Sequence, residues 1–105
     1  MSKYVVMADF EILPDGIERF VEYIKIHAQN SRNEEPGCRA FEVCQDPGQL
    51  NLFSLYEVYD DADAYRHHRA MPSYGEFMMR ASPLIIRHEG SLFKNRRVLR
   101  RISPE

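Results

Sequence analysis

Three proline–glycine breaks constrain this chain more than any other feature, because they separate runs of different hydrophobic period. Pro14-Asp15-Gly16, Pro36-Gly37 and Asp46-Pro47-Gly48 stand between four apolar runs, and neither helix nor strand continues readily through such clusters. Tyr4 to Ile12 alternates as a strand. Tyr4, Val6, Ala8, Phe10 and Ile12 form one face, and Val5, Met7, Asp9 and Glu11 the other. After the first break Asp15 and Glu18 fit a reciprocal helix cap. Ile17, Phe20, Val21, Ile24, Ala28 and Ser31 then recur at helical spacing, which predicts a helix from about Gly16 to Asn33. Cys38–Gln45 and Leu52–Tyr59 read as strands joined in an antiparallel hairpin. Asp60, Asp61 and Asp63 suit a helix N-terminus, where the dipole favours anions. That helix runs from Ala62 to Arg69. Pro72 permits a second piece over Ser73–Ala81, and Pro83 stops it. Ser91 to Val98 is the predicted fourth strand.

The order β-α-β-β-α-β predicts an α+β, ferredoxin-like fold, with helices on one face of an antiparallel sheet. At 105 residues the expectation is a single domain over 1–105. The uncovered face is expected to carry Phe41, Val43, Phe53, Leu55, Tyr59 and Phe93, which calls for a ligand or a partner sheet. A net charge of −2 gives no argument for nucleic acid or a membrane surface. No apolar run approaches the ~20 residues of a membrane span. The first residues, MSKYVVMADFEIL, lack the pattern of a signal peptide, so a cytoplasmic protein is expected. Cys38 and Cys44 fall on one strand face about 20 Å apart at ~3.3 Å per residue, too far to pair with each other.

Candidate chemistry collects around the third strand and the helix that follows. Glu57 is a carboxylate among apolar neighbours, where burial raises its pKa and opens acid–base chemistry; the alternative is a structural ion pair with an arginine of strand two or four. His68 lies four residues after Ala64, on the helix side facing the sheet, as a proton shuttle or as a hydrogen-bonded core histidine. His67 points to solvent. His27 is placed on the flank of the first helix, one turn before Ser31, with Asn30 nearby; the three can bind a ligand carbonyl or hydroxyl, or simply cap the helix and face solvent. Met71, Tyr74, Phe77, Met78 and Met79 read as core filler or as an adaptable pocket wall. Lys94, Arg96, Arg97, Arg100 and Arg101 can meet an anion, or guard a sheet edge. There is no zinc spacing, phosphate loop, nucleophile elbow or dinucleotide fingerprint, so neither metal nor cofactor is expected.

Two blocks carry a family likeness: NS..EEPGC..F.V.QDP over Asn30 to Pro47, and F..YE.Y...DA...H...P.Y over Phe53 to Tyr74. With them the chain resembles the antibiotic biosynthesis monooxygenase family of dimeric α+β barrels. The resemblance implies a homodimer with sheets packed face to face and a pocket lined by the first helix and His68. It also implies cofactor-free oxygenation of a quinol- or anthrone-like aromatic substrate, in which a base removes a proton and the carbanion reduces oxygen. His68 would be the base and Glu57 its tuning partner. Tyr59 and Asn30 would hold substrate oxygens, with His27, Phe41, Tyr74 and Phe53 completing the pocket. One branch isomerises the phosphorylated autoinducer-2 dione, also by proton transfer beside a carbonyl, with Lys25 or Arg32 as conceivable phosphate anchors. A non-catalytic ligand-binding barrel is the third reading. Haem-degrading relatives use a tryptophan that this chain lacks. His27 replaces the asparagine expected at its position.

Overall fold

The computed structural model describes residues 3–104. Its elements are β1 (Lys3–Glu11), a 3₁₀ turn (Pro14–Gly16), α1 (Ile17–Glu34), β2 (Cys38–Gln45) and β3 (Leu52–Tyr59). They continue with α2 (Ala62–Ala70), α3 (Pro72–Ala81), a second 3₁₀ turn (Ser82–Leu84) and β4 (Asn95–Arg101). The strands form one sheet in the order β2-β3-β1-β4, every neighbouring pair antiparallel. This is the ferredoxin-like α+β arrangement expected from the order of periods. Among the described residues no helix is long and apolar enough to cross a membrane.

Register decides which side chains the helices cover. Tyr4, Val6, Ala8 and Phe10 of β1 pair with Tyr59, Glu57, Leu55 and Phe53 of β3. These share a face with Phe20 and Ile24 of α1, Tyr65 of α2 and Phe77 of α3 in one core cluster. Phe41, Phe53, Leu55 and Tyr59 are therefore core residues under the helices, with Val43 and Phe93 packed against them. All six thus lie on the helix-covered face and not on the uncovered face expected from the sequence. That face carries Val5, Met7, Ala40, Tyr56, Val58 and Leu99 instead.

The reason for part of that reversal is a bulge. Cys38 pairs with Tyr59 and Ala40 with Val58, so Arg39 is an extra residue on β2 and the inside–outside parity changes there. Cys38 and Phe41, three apart, both face the core, whereas Cys44 turns to the exposed side. The two thiols are thus on opposite faces rather than one, and both are unpaired. Arg39 is used rather than wasted: its Nε and Nη2 donate to Asp60 at 2.6 and 3.2 Å, and Lys3 joins them at 3.2 Å.

Other local expectations changed as well. The first helix is preceded by a 3₁₀ turn that contains Asp15, and Gly16 at its N-cap makes no side-chain cap bond. Asp61 is the acid that caps a helix, accepting from the Ala64 N–H at 2.8 Å. At the hairpin, Asp46 Oδ1 accepts from Gly48 and Gln49, both at 2.8 Å, which fixes the turn. The last strand starts at Asn95, four residues later than predicted. Ser91 is taken up by a bridge to His88, and the ladder to β1 opens only where the Lys94 N–H donates to Asp9.

The bulge makes a direct prediction. Burial pushes the Cys38 thiol up to about 11, with the Glu35 charge adding to it. In native protein a thiol reagent should therefore label Cys44 and leave Cys38 unreacted until denaturant is added. Equal labelling of both, followed by mass spectrometry, would contradict the face assignment.

Candidate active site

The site forms where the end of α1 meets the start of α2. Pro36-Gly37 ends α1, and the Gly37 carbonyl accepts from the Asp60 N–H at 2.9 Å, tying the α1–β2 turn to the β3–α2 turn. A Cβ built on Gly37 would lie 2.7 Å from the Ala64 Cβ, closer than two carbons can approach. Glycine is thus what lets α2 sit against this turn. With α2 seated by its Asp61 cap, Tyr65 and His68, one helical step apart, both face the sheet and are buried.

That docking brings His68 onto Glu35. Both Glu35 oxygens lie 3.1 Å from His68 Nδ1, with the two residues 3% and 1% exposed. Glu35 is the C-cap of α1 and its N–H donates to the Ser31 carbonyl at 3.2 Å. Burial holds the His68 imidazole down to about 4, helped by the positive neighbours His67 and Arg69. Burial also raises the Glu35 carboxyl, and Glu34 adds to this, while His67 and Ser31 oppose it. At neutral pH the histidine is uncharged. A carboxylate beside Nδ1 accepts only if that nitrogen carries the proton, so Nε2 is left with its lone pair.

Beside this pair lies a cavity of about 20 Å³, room for about one water. His27, Phe41, Glu57, His68, Tyr74 and Arg96 are among its walls, together with Phe77, Met78 and Phe93. Glu57 enters from β3 between Phe41 and Val6. Burial raises its carboxyl to about 7; the hydrogen bond from Tyr59 and the charge of Arg96 pull the other way, and Glu35 adds to the rise. No arginine lies within ion-pair distance of Glu57 among the described residues, so the structural ion pair is not what is found.

The remaining candidates divide. His27 is not on the flank of α1 but buried, with its ring stacked on Phe77 at 4.6 Å and 5.1 Å from the His68 ring. Burial, then His68, lowers its pKa to about 4, and its Nδ1 has no hydrogen-bond partner. Phe41 and Tyr74 stand over the two imidazoles, Tyr74 at 5.3 Å from His68 and 6.0 Å from His27. Tyr59 is fully buried, its hydroxyl donates to Glu57 Oε1 at 2.6 Å, and it is not among the residues lining the cavity. Asn30 lies away from the cavity, in a separate groove between α1 and α3 that Tyr23 and Arg80 also line. Phe53 is core, 4.9 Å from Phe20. Among the described residues no cluster of three or more histidine, cysteine or acidic side chains is placed to hold a metal.

Sequence reasoning missed Glu35 as a site residue. The signal was present: Glu34 and Glu35 are adjacent acids at a helix C-terminus, where the dipole disfavours them, so some other partner had to hold one of them.

The antibiotic biosynthesis monooxygenase family model matches residues 3–80. The chain belongs to that family. Two relatives are isomerases of (4S)-4-hydroxy-5-phosphonooxypentane-2,3-dione. The one from Salmonella typhimurium is 30% identical over 82 residues, covering 78% of this chain and 84% of its own length. The one from Escherichia coli K12 is 32% identical over 71 residues, covering 68% and 73%. Solved structures of family proteins share the fold. One from Chloroflexus aurantiacus has a TM-score of 0.82 at 18% identity, over 99% of this chain and 97% of its own. One from Nitrosomonas europaea has a TM-score of 0.79 at 20% identity, over 94% and 88%.

Gly37→Ala tests how the site is assembled. The added methyl should force α2 off the turn, lower stability by about 1–3 kcal/mol, and separate His68 from Glu35. Unchanged denaturant unfolding together with an unchanged His68 NMR signal would contradict the role given to the close approach.

Proposed function

We propose that the protein is an isomerase of a small phosphorylated hydroxy-dione, with His68 as the base. The observation that carries this reading is the buried imidazole whose Nδ1 is held by Glu35. It gives a neutral Nε2 beside the cavity at the pH where proton abstraction next to a carbonyl must occur. Relatives that isomerise such a dione support it.

The substrate bears a hydroxyl-carrying carbon next to a carbonyl, and its C–H is acidified by that carbonyl. His68 Nε2 takes the proton from this carbon, and the electron pair moves to the carbonyl oxygen. Glu57, protonated up to about pH 7, gives its proton to that oxygen, forming an enediol. The imidazolium then returns its proton to the former carbonyl carbon while the Glu57 carboxylate takes the hydroxyl proton from the first carbon. Carbonyl and hydroxyl have changed places and both protein groups are restored. Glu35 keeps the Nδ1 proton in place and stabilises the imidazolium while it exists. Tyr59 fixes one Glu57 oxygen and leaves the other to the substrate. His27 Nδ1, buried without a partner, binds a substrate oxygen. Phe41 and Tyr74 exclude water. Admission of a ligand larger than water displaces Met78, the flexible wall.

Oxygenation of a quinol-like ring is the second reading, favoured by the family to which the chain belongs. It would use the same base and the aromatic walls, with oxygen as co-substrate; the isomerase reading needs none. In either case we place a homodimer on the uncovered sheet face, where Val5, Met7, Tyr56, Val58 and Leu99 lie together.

Turnover of the phosphorylated hydroxy-dione followed by NMR tests the proposal, beside oxygen uptake with hydroquinones. The wild type should isomerise the dione with kcat/KM level between about pH 4 and pH 7. It should fall below that range as His68 becomes protonated and above it as Glu57 ionises. His68→Ala should lose roughly 100- to 10,000-fold in kcat, and Glu57→Gln a comparable factor. No turnover of the dione by wild type, with oxygen uptake on a quinol, would replace this reading by the second.

A further inference from the structure

Two conceivable phosphate anchors fall away once the fold is known. Arg32 spends its Nη1 on the Cys38 carbonyl at 3.0 Å, and exposed Lys25 is not among the cavity walls. The cation that does reach the cavity comes from β4. Arg96 pairs with Ala8 and so lies on the helix-covered face, whereas Arg97, opposite Met7, lies on the other. Among the residues lining the cavity, Arg96 is the one permanent cation. It also lines the open groove outside, beside Lys94, His88 and the acidic Glu89, and therefore stands at the mouth where cavity and groove meet.

Its guanidinium is held in place without being neutralised. Nη2 donates to the Tyr65 hydroxyl at 2.8 Å, and the Cζ lies 5.5 Å from the Tyr65 ring and 5.9 Å from that of Phe93. Among the described residues no carboxylate lies within ion-pair distance of it. An arginine positioned by rings and one hydroxyl keeps most of its donors for a ligand. The acid nearest in the cavity, Glu57, is kept largely neutral by burial below about pH 7 and so repels an anion little.

We propose that Arg96 is the anion anchor of this site, seating the phosphoryl group of the substrate at the cavity mouth while the dione end reaches His68; this rests on the isomerase reading above. Base and anchor flank one side chain: the Tyr65 ring lies 6.1 Å from the His68 ring and 5.5 Å from the Arg96 Cζ. In the phosphorylated dione the phosphorus is three bonds from the carbon that loses its proton, so phosphate and reacting carbon also lie close together. Lys94 in the outer groove adds positive potential, while the bidentate fork of Arg96 supplies geometry.

The test uses Arg96→Gln and Arg96→Lys, with Arg19→Gln on the exposed side of α1 as control. On the phosphorylated dione, Arg96→Gln should raise KM roughly 10- to 100-fold with kcat little changed. Arg96→Lys should recover part of that loss, and Arg19→Gln should behave as wild type. In parallel, line broadening of inorganic phosphate in ³¹P NMR should appear with wild type and vanish with Arg96→Gln, a readout independent of turnover. Wild type that binds phosphate through Arg96 but does not turn over the dione would remove the isomerase reading and leave the anchor standing. Wild type that turns over while Arg96→Gln keeps its KM would overturn the anchor alone. A loss confined to kcat, or phosphate binding unaffected by Arg96→Gln, would overturn it equally.

Discussion

The contact between Glu35 and His68 is the constraint on which the rest of the site depends. An acid at the C-terminal end of a helix and a histidine at the C-terminal end of another would each be costly to bury alone. Placed 3.1 Å apart, they share one hydrogen bond from Nδ1–H to the carboxylate, and burial keeps the imidazole uncharged. The contact is assembled by backbone features rather than by itself. The break at Pro36-Gly37, the missing side chain at Gly37 and the Asp61 cap of α2 are all needed to bring the two helix ends together.

From that point the cavity follows as a layered arrangement. The two imidazoles of His27 and His68 sit over the sheet between aromatic rings, and Glu57 rises from the sheet opposite them. Desolvation acts with opposite sign on the two kinds of group. It keeps the histidines neutral and ready to accept a proton, and it keeps the carboxyl protonated and ready to donate one. One physical cause thus produces an acid and a base side by side at neutral pH. Tyr59 contributes by fixing the acid, and its own hydroxyl is held far from ionising by burial and by Glu57.

Much of the scaffold was legible in the sequence, and the exceptions have identifiable causes. Period-two runs gave β1, β2 and β3 nearly to the residue, because Pro14, Pro36 and Pro47 punctuate them. The side of β2 was misread because parity cannot be carried through a bulge: one extra residue at Arg39 moves Cys38 and Cys44 to opposite faces. His68 and Glu57 were legible as residues of the site, since a histidine on a buried helix face and an acid inside an apolar strand violate the pattern around them. His27 sits three residues after Ile24 and four before Ser31, in the middle of the buried stripe, yet its polarity argued for the flank. Glu35 was visible only as one of two acids at a helix C-terminus; its partner lies 33 residues away in sequence, and no local pattern connects them. Tyr59 and Asn30 were credited with substrate contacts because their polarity is visible in sequence and their hydrogen bonds and grooves are not.

The proton arrangement of His68 is the claim from which the chemistry is built, and ¹⁵N NMR of the imidazole nitrogens in the native protein reads it directly. At neutral pH the expected result is a neutral ring with the proton on Nδ1 and a bare Nε2, unchanged until the pH approaches about 4. A ring protonated on Nε2, or an imidazolium already present at pH 7, would leave no base facing the cavity and would contradict it.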